Sequence, residues 1–411
     1  MVKSETVILK NGLKVLYEHH PTAVVSHVAV MVKAGTRDEG KNEEGLAHFI
    51  EHCLFKGTKN RKSYHILNRL EVIGGELNAY TTKEETCLHA SVMNQYLPRA
   101  VELIADIFHN SIFPEKEIEK EKDVIIDEIH SYQDTPYEQI FDDFEGQIFK
   151  GHTLGHPILG TEKSLRSFKR KSIVDFIKRN YHPSVTVFSV SGSIGLEKAI
   201  ALAEEFFGTK KSNATVPVRM KFKGYKSSEV EIPKSISQVH YISGIPGYAL
   251  NDPRRYTLVL LNNLLGGPGM NSRLNLNVRE KYGFTYTIET GYHTYSDTGI
   301  FFLYFATDQK HFNKTLKLAN QELDKLCDKP LGDKLFLQYR EQLLGQIMMA
   351  QENRLSVMLS RSKAFLNFGT VISVEEIREK VKAVSAKAIQ EAAKDLLGSC
   401  ERSALIYKPQ Q

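Results

Sequence analysis

His48-Phe49-Ile50-Glu51-His52 is the stretch of this 411-residue chain that most constrains its fold. On an α-helix, residues four positions apart lie one turn apart on the same face, so His48 and His52 can bind one metal ion. Glu51 shares that face and is free to accept a proton. The stretch therefore predicts a helix that carries two metal ligands and a general base.

The residues around this stretch have the period of a helix with one buried face. Its apolar positions follow the i, i+3, i+4, i+7, i+8 spacing of a core-facing stripe and are Leu46, Phe49, Ile50, Cys53 and Leu54. Asn42 can cap the start of this helix, and Gly57 follows its end. Glu43 and Glu44 suit the positive end of the helix dipole. A surface helix with two solvated histidines is the alternative interpretation.

A second helix is predicted to supply the third metal ligand, because a catalytic zinc site uses three protein ligands and one water. Residues 115–130 follow Pro114 and have the pattern of a long helix. Its inward stripe has alternating spacings of three and four and consists of Ile118, Glu121, Ile125 and Glu128. Carboxylates in an apolar stripe are costly unless a cation offsets their desolvation. A charge-rich solvated helix is the alternative.

The H-x-x-E-H order is that of the inverzincins, and the chain resembles the M16 (pitrilysin-type) zinc metallopeptidases, in particular the half-length bacterial and processing-peptidase members. In that family a glutamate ligand follows the second histidine by some 76 residues, which leads from His52 to Glu128. The resemblance implies that His48, His52 and Glu128 bind one Zn²⁺ per chain. It also implies that Glu51 is the general base and that Glu121 supports a ligand from behind.

Two further stretches near the motif are similar to the same family. They are residues 52–58, which begin in the metal helix, and residues 75–81, which resemble a strand beside the metal onto which substrate adds as an extra strand. The resemblance implies that Asn78 and Ala79 bind substrate and that Phe55 forms a wall of the pocket after the scissile bond. Phe55 also suits core packing, and Asn78 also suits a plain strand edge.

The second half of the chain carries a stretch similar to the family's R-E-x-x-G-x-x-Y element, Arg279-Glu280-Lys281-Tyr282-Gly283-Phe284-Thr285-Tyr286. The resemblance implies that Arg279 and Tyr286 act in catalysis by binding substrate carbonyls and the developing oxyanion. A cation and a phenol hydroxyl can both stabilise negative charge on a tetrahedral intermediate. Without the resemblance, an arginine near a helix end and a strand tyrosine would be structural.

The two halves of the chain have the pattern of divergent copies of one unit. Each copy runs strand, helix, helix and then strands, over residues 25–93 in the first copy and 238–307 in the second. The second copy has Leu260-Leu261-Asn262-Asn263-Leu264 in place of the ligands, so only the first copy is expected to bind metal. Long helices are predicted after each copy, over residues 114–149 and 335–368.

We therefore predict an α+β protein made of two homologous α/β sandwich domains, each a mainly antiparallel sheet packed with helices. The stretch before Lys226 contains a polar run, Pro217 and Gly224, and it has no sustained helical period. The predicted domains are an N-terminal domain over residues 1–208, a linker over 209–226 and a C-terminal domain over 227–411.

Composition predicts a soluble, ordered protein, since 41% of residues are apolar and 25% are charged. The net charge of +5 comes from positive residues scattered among acids, so no nucleic-acid partner is predicted. No apolar run approaches the roughly 20 residues of a membrane span, and the first residues lack a signal or transit pattern. No membrane partner and a cytoplasmic location are therefore predicted. The four cysteines give no disulfide framework, and Cys53 is assigned to core packing.

These features together predict a zinc metalloendopeptidase that hydrolyses peptides or unfolded segments bound in extended form. Zinc would lower the pKa of a water molecule, and Glu51 would accept its proton and pass it to the leaving amine. The resemblance implies a homodimer that closes like a clamshell, in which the arginine and tyrosine of one chain complete the metal site of the other. The alternatives are a non-catalytic scaffold or partner subunit, or one subunit of a heteromeric processing peptidase.

Overall fold

The computed structural model describes residues 4–209, 217–398 and 401–410, and these form two compact units. Unit 1 contains the chain up to His130, from His156 to Met220 and from Ala350 to Ile372. Unit 2 contains Ser131–Gly155, Lys221–Met349 and the chain from Ser373 onward. Residues 210–216 of the predicted linker and the fourth cysteine, Cys400, lie outside the described residues.

A sheet lies at the centre of each unit. The strands of unit 1 are β1 Ser4–Ile8, β2 Lys14–His19, β3 Val25–Val32, β4 Glu76–Thr81, β5 Thr86–Met93 and β6 Thr186–Gly192. The strands of unit 2 are β7 Glu229–Lys234, β8 Val239–Gly247, β9 Thr285–Thr294, β10 Gly299–Thr307 and β11 Ser403–Pro409.

The two sheets have the same strand order. It is β1-β2-β6-β3-β5-β4 in unit 1 and β7-β11-β8-β10-β9 in unit 2. The β2–β6 and β7–β11 pairs are parallel, and the other neighbouring pairs of these two sheets are antiparallel. With β1 set aside, the sheets match strand for strand, which confirms the predicted α+β class and the two mainly antiparallel sheets.

Helices connect the strands and cover the sheets. In chain order they are α1 Leu46–Leu54, α2 Ser63–Glu71, α3 Leu97–Asn110, α4 Glu115–Gln133, α5 Pro136–Ile148, α6 Glu162–Ser167, α7 Arg170–Asn180, α8 Leu196–Phe207, α9 Arg255–Gly266, α10 Phe312–Asp328, α11 Asp333–Ala350, α12 Arg354–Phe368, α13 Val374–Lys382 and α14 Ala386–Ala393. Within the described residues, no helix combines the length and the apolarity needed to cross a bilayer.

The sheet of unit 1 is buried on both faces. On β3, Val28 and Val30 point into the main core with α1 and α3, because alternate side chains leave a strand on opposite faces. Ala29 and Met31 point the other way and pack under α12. The strand therefore has a continuous apolar sequence rather than an alternating one.

The sheet of unit 2 has the same layers. Helices α9, α10 and α14 cover one face, where Leu261 and Leu323 pack with Phe305. Helix α5 covers the other face, where its Phe144 packs with Ile242 of β8. Among the described residues, each sheet thus has several helices on one side and a single helix on the other.

Each single covering helix comes from the opposite half of the chain. Helix α5 belongs to the first half but packs in unit 2, and α12 belongs to the second half but packs in unit 1. The predicted continuous domains, 1–208 and 227–411, differ from the compact units in these two segments. Helical periodicity shows that a helix has a buried face, but it does not show which sheet covers that face.

Both predicted long helices are broken in the structure. The helix predicted over 114–149 ends at Gln133 and restarts as α5 with Pro136 in its first turn. Proline is tolerated there because the first N–H groups of a helix have no intrahelical acceptor. The helix predicted over 335–368 is interrupted between Ala350 and Arg354, where Asn353 caps α12 by accepting the N–H of Ser356.

Candidate metal centre

Helix α1 presents its histidines because its opposite face is anchored in the core of unit 1. The predicted stripe is at most 1% exposed and consists of Leu46, Phe49, Ile50, Cys53 and Leu54. With that face fixed, His48, Glu51 and His52 lie on the remaining surface of the helix. The helix therefore holds the three side chains on rigid backbone.

The start of α1 differs from the prediction. Asn42 is not the cap, because it has a φ of 66° and lies four residues before Leu46, where the helix begins. The buried Glu39 takes that role. Its carboxylate accepts the backbone N–H groups of Gly45 at 3.0 Å and Ala47 at 2.9 Å. Two otherwise unpaired donors are satisfied, and a carboxylate stands at the positive end of the helix dipole.

Helix α4 brings its stripe glutamates to the histidines of α1. Nε2 of His52 lies 3.7 Å from Oε2 of Glu128, and the rings of His48 and His52 are 4.6 Å apart between centroids. One possible ligand atom from each of these three residues lies within 4.8 Å of the other two. In the part of the chain that the structure describes, they form the one such group of His, Cys, Asp and Glu side chains.

Glu121 orients His52 from behind. Its Oε2 accepts Nδ1–H of His52 at 3.2 Å, which leaves Nε2 of that ring on the side of Glu128. Its Oε1 pairs with Nζ of Lys56 at 2.7 Å. Burial raises the pKa of Glu121, but the hydrogen bonds from His52 and Lys56 outweigh that effect and hold the pKa below its ordinary value. A carboxylate behind a ligating histidine fixes its tautomer and ring orientation.

His48 has the properties of a metal ligand. It is 8% exposed, and its Nδ1 is buried without a hydrogen-bond partner, a costly arrangement that a cation would relieve. Burial, followed by the charge of His52, lowers the pKa of His48 to about 3, so the ring is neutral, as a ligand must be. Two imidazole nitrogens and one carboxylate oxygen are a donor set of catalytic zinc. Zinc therefore fits His48, His52 and Glu128.

Glu51 stands beside this group without belonging to it. Its Oε2 accepts the hydroxyl of Thr81 on β4 at 2.6 Å. Burial raises the pKa of Glu51, and the Thr81 hydrogen bond opposes part of that rise. A carboxylate with a raised pKa that is held by one oxygen can take up and release a proton at the other.

Strand β4 forms the outer edge of its sheet next to α1. It pairs with β5, and no other described strand pairs with it. Ala79 and Phe55 both pack against the core on the α1 side, and Phe55 directly follows the helix. Asn78 is exposed, lies opposite His89 in the register and points to the other face of the sheet. The strand can therefore offer its backbone edge to an extended peptide near Glu51.

Unit 2 holds the predicted arginine and tyrosine side by side. Cζ of Arg279 lies 5.4 Å from the ring centroid of Tyr286, which is 81% exposed. Both residues line a cavity of about 410 Å³ together with the start of β9, the edge strand of that sheet. A guanidinium and a phenol at the wall of an open groove can both donate to a carbonyl oxygen.

The structure adds three residues that the sequence reasoning did not single out. Thr81 holds the candidate base, Lys56 holds Glu121, and Glu39 caps the metal helix. Lys56 stands one helical turn after His52, a spacing that places it toward the same neighbour. Thr81 ends the quoted strand, and its alternation with Ala79 puts both side chains on the α1 face. Nothing in the local sequence pairs Glu39 with residues six and eight positions later.

Two family models match this chain. The model described as "Insulinase (Peptidase family M16)" matches residues 14–162, which include the histidines of α1 and Glu128. The model described as "Peptidase M16 inactive domain" matches residues 167–343, which include Arg279 and Tyr286.

Solved structures and other proteins resemble the chain along almost its whole length. The structure of a protease from Helicobacter pylori shares its fold with a TM-score of 0.91 and 20% identity, over 100% of both chains. The structure of a peptidase M16 inactive domain from Pseudomonas fluorescens shares it with a TM-score of 0.92 and 18% identity, over 100% of this chain and 99% of that one. A protein of Rickettsia felis named "Uncharacterized zinc protease" is 35% identical over 403 residues, 97% of this chain and 96% of that protein. "Uncharacterized zinc protease YmxG" of Bacillus subtilis is 32% identical over 408 residues, 99% of this chain and 98% of that protein. The chain therefore belongs to peptidase family M16.

Proposed function

We propose that this chain is a zinc metalloendopeptidase that hydrolyses peptides and unfolded polypeptide segments. The observation that carries the proposal is the grouping of His48, His52 and Glu128 within 4.8 Å, with Glu51 held beside it by Thr81. The names of the relatives as zinc proteases support the same chemistry. A scaffold protein would not need the neutral buried His48, the carboxylate of Glu128 and the carboxylate of Glu51 beside one another.

When zinc is bound, it supplies a Lewis acid that lowers the pKa of water and polarises a carbonyl. His48, His52 and Glu128 would hold it, and Glu121 keeps His52 in the ligating orientation. Oε1 of Glu51 takes the proton of the attacking water, because Oε2 is occupied by the Thr81 hydroxyl. Glu51 then delivers that proton to the nitrogen of the leaving amine.

The edge of β4 would bind the substrate backbone as an added strand, so extended segments bind and folded domains do not. We propose that the chain works as a homodimer in which Arg279 and Tyr286 of one copy bind the substrate carbonyl at the metal of the other. This arrangement encloses the substrate and stabilises the negative charge that develops during attack.

The first experiment measures zinc content and cleavage of an unstructured, internally quenched peptide by the purified chain. We expect one zinc per chain, internal cleavage by mass spectrometry, loss of activity with a chelator and recovery with zinc. Glu51→Gln should keep zinc and lose at least about 100-fold in kcat, whereas Glu71→Gln, an exposed matched change on α2, should behave as wild type. Near-normal cleavage by Glu51→Gln would remove Glu51 from its role.

A second experiment tests the dimer. Chains carrying Glu51→Gln are mixed with chains carrying Arg279→Ala, each of which should have strongly reduced activity alone. In a mixed dimer with sites completed in trans, one of the two sites is intact, so activity should return to about half that of wild type per mixed dimer. A mixed dimer, verified by mass, whose activity stays at the level of the single variants would contradict completion in trans.

A further inference from the structure

The helix that carries Arg279 is irregular at a single turn. Asn275–Glu280 forms a π-helical turn, in which each hydrogen bond spans five residues rather than four. Such turns are rare and frequently occur at functional sites. One extra residue in a turn rotates every later side chain by about 100° around the helix axis. The direction in which Arg279 points therefore depends on this turn being kept.

A buried carboxylate on a neighbouring helix holds the turn. Glu322 of α10 is 2% exposed, and its Oε2 accepts Arg273 at 2.8 Å and Nδ2 of Asn277 at 3.0 Å. Its Oε1 pairs with Nζ of Lys325 at 2.5 Å. Arg273 lies just before the π turn, and Asn277 lies within it. One oxygen atom thus ties the turn to the residue that precedes it.

The anchored turn leads directly to Arg279. Between the two anchored residues, Asn275 is buried and donates to Oγ of Ser272 at 2.8 Å. Its Oδ1 faces Nη1 of Arg279 at 3.5 Å, and the guanidinium lies over the ring of Tyr286. Asn275, Arg279 and Tyr286 all line the 410 Å³ cavity.

We infer that Glu322 is a positioning residue for Arg279: by holding Arg273 and Asn277 it maintains the π turn that aims the guanidinium beside Tyr286. The inference rests on the proposed function, because it assigns Glu322 a part in substrate binding by Arg279. Glu322 bonds to Arg273, Asn277 and Lys325, and none of these three residues lines the cavity.

The charge of Glu322 is essential to this role. It faces two cations, Arg273 and Lys325, and the amide of Asn277. Glu322→Gln keeps the size of the side chain but replaces one carboxylate oxygen by an NH₂ group. That NH₂ group would face an N–H donor of a neighbouring residue and could not accept its hydrogen bond. The turn then loses at least one anchor, and regular helical spacing, which turns Arg279 away, is favoured.

The test is a double-mutant cycle in peptide cleavage by the zinc-loaded enzyme. Glu322→Gln alone should lower kcat/KM by at least about 10-fold with zinc content unchanged, and in the Arg279→Ala background it should lower kcat/KM by less than about 2-fold. If instead the double variant loses kcat/KM by the product of the two single losses, Glu322 acts on general stability and the inference is wrong. Asn277→Ala, which removes one of the anchors, should follow the same pattern with a smaller loss.

Hydrogen exchange separates this inference from the proposed function. In Glu322→Gln, amides of residues 273–282 should exchange at least about 10-fold faster, while those of α1 should not change. The matched control is Glu376→Gln, which breaks an exposed pair with Lys380 on α13 of the same unit and should alter neither exchange of 273–282 nor cleavage. Unchanged exchange of 273–282 in Glu322→Gln overturns the inference, whereas a wild-type enzyme that binds zinc and cleaves no peptide overturns the proposed function.

Discussion

Removal of the Glu39 carboxylate should loosen the metal helix and weaken zinc binding without touching any ligand. In Glu39→Ala, the N–H groups of Gly45 and Ala47 lose their acceptor inside the protein. Ala47 directly precedes His48, so fraying of the first turn displaces a ligand. Zinc binding must then restore the turn, and the free energy needed for that ordering is subtracted from the binding free energy.

The size of the effect follows from the contacts. Two buried donors without partners cost about 1–3 kcal/mol each. Part of this cost is offset by relief of desolvation. Burial raises the pKa of Glu39 well above its ordinary value, which shows that burying the carboxylate is unfavourable, and the variant no longer buries it. A net cost of about 2 kcal/mol corresponds to a roughly 30-fold weaker zinc affinity.

Zinc affinity is measured by competition with a chromophoric chelator, and opening of α1 by hydrogen exchange of residues 45–54. We expect faster exchange of that segment in zinc-free Glu39→Ala and an intermediate effect in Glu39→Gln, which retains one accepting oxygen. Glu44→Ala is the matched control, since Glu44 lies in the same loop and its carboxylate faces His156 at 4.0 Å. A Glu39→Ala protein with unchanged zinc affinity and unchanged exchange would refute the reasoning.

Three further results are expected in unit 1. Arg361→Met removes the partner that lies 2.8 Å from the fully buried Glu18, and it should lower the free energy of unfolding, measured in urea, by about 3–5 kcal/mol. Adding Glu18→Met should restore most of that free energy. A further loss in the double variant would contradict the pairing. Burial lowers the pKa of His27 to about 4 from an ordinary value near 6.5, so the unfolded chain takes up the proton first. Stability contributed by neutral His27 should be lost as pH falls from about 6.5 to about 4, and His27→Gln should show a flatter pH dependence; equal slopes would exclude this role. Cys53 and Cys87 are 1% and 0% exposed, and burial raises the pKa of both thiols. Both should resist iodoacetamide at pH 8 in the folded protein and react with it in urea, which mass spectrometry can measure. Rapid labelling of the folded protein would contradict their burial.

Much of the geometry of the candidate metal centre was predictable because local periodicity determines it. The spacing of His48 and His52 places both rings on one face, and the apolar stripe of α1 determines which face that is. The stripe of α4 likewise turns Glu121 inward and brings Glu128, which is partly exposed, to 3.7 Å from His52. The strand correspondence between the two sheets was also present in the sequence, as a repeated order of strands and helices.

Contacts between segments distant in the chain were not predictable in this way. Asn42 has the residue type of a cap, but the cap is a side chain that folds back from Glu39 over the intervening loop. The bond from Thr81 to Glu51 depends on how β4 is placed against α1. The break before Pro136 was visible as a proline, yet the direction taken by the next helix depends on the sheet it covers.

The exchange of α5 and α12 determines when the protein can become complete during synthesis. A ribosome that has made the whole first half has produced a sheet whose outer apolar face, around Ala29, Met31 and Val187, still lacks its cover. That cover, residues 354–368, is translated more than 150 residues after β6. Unit 1 can therefore be completed only after residues 354–368 have been synthesised, and until then an apolar face of its sheet is uncovered.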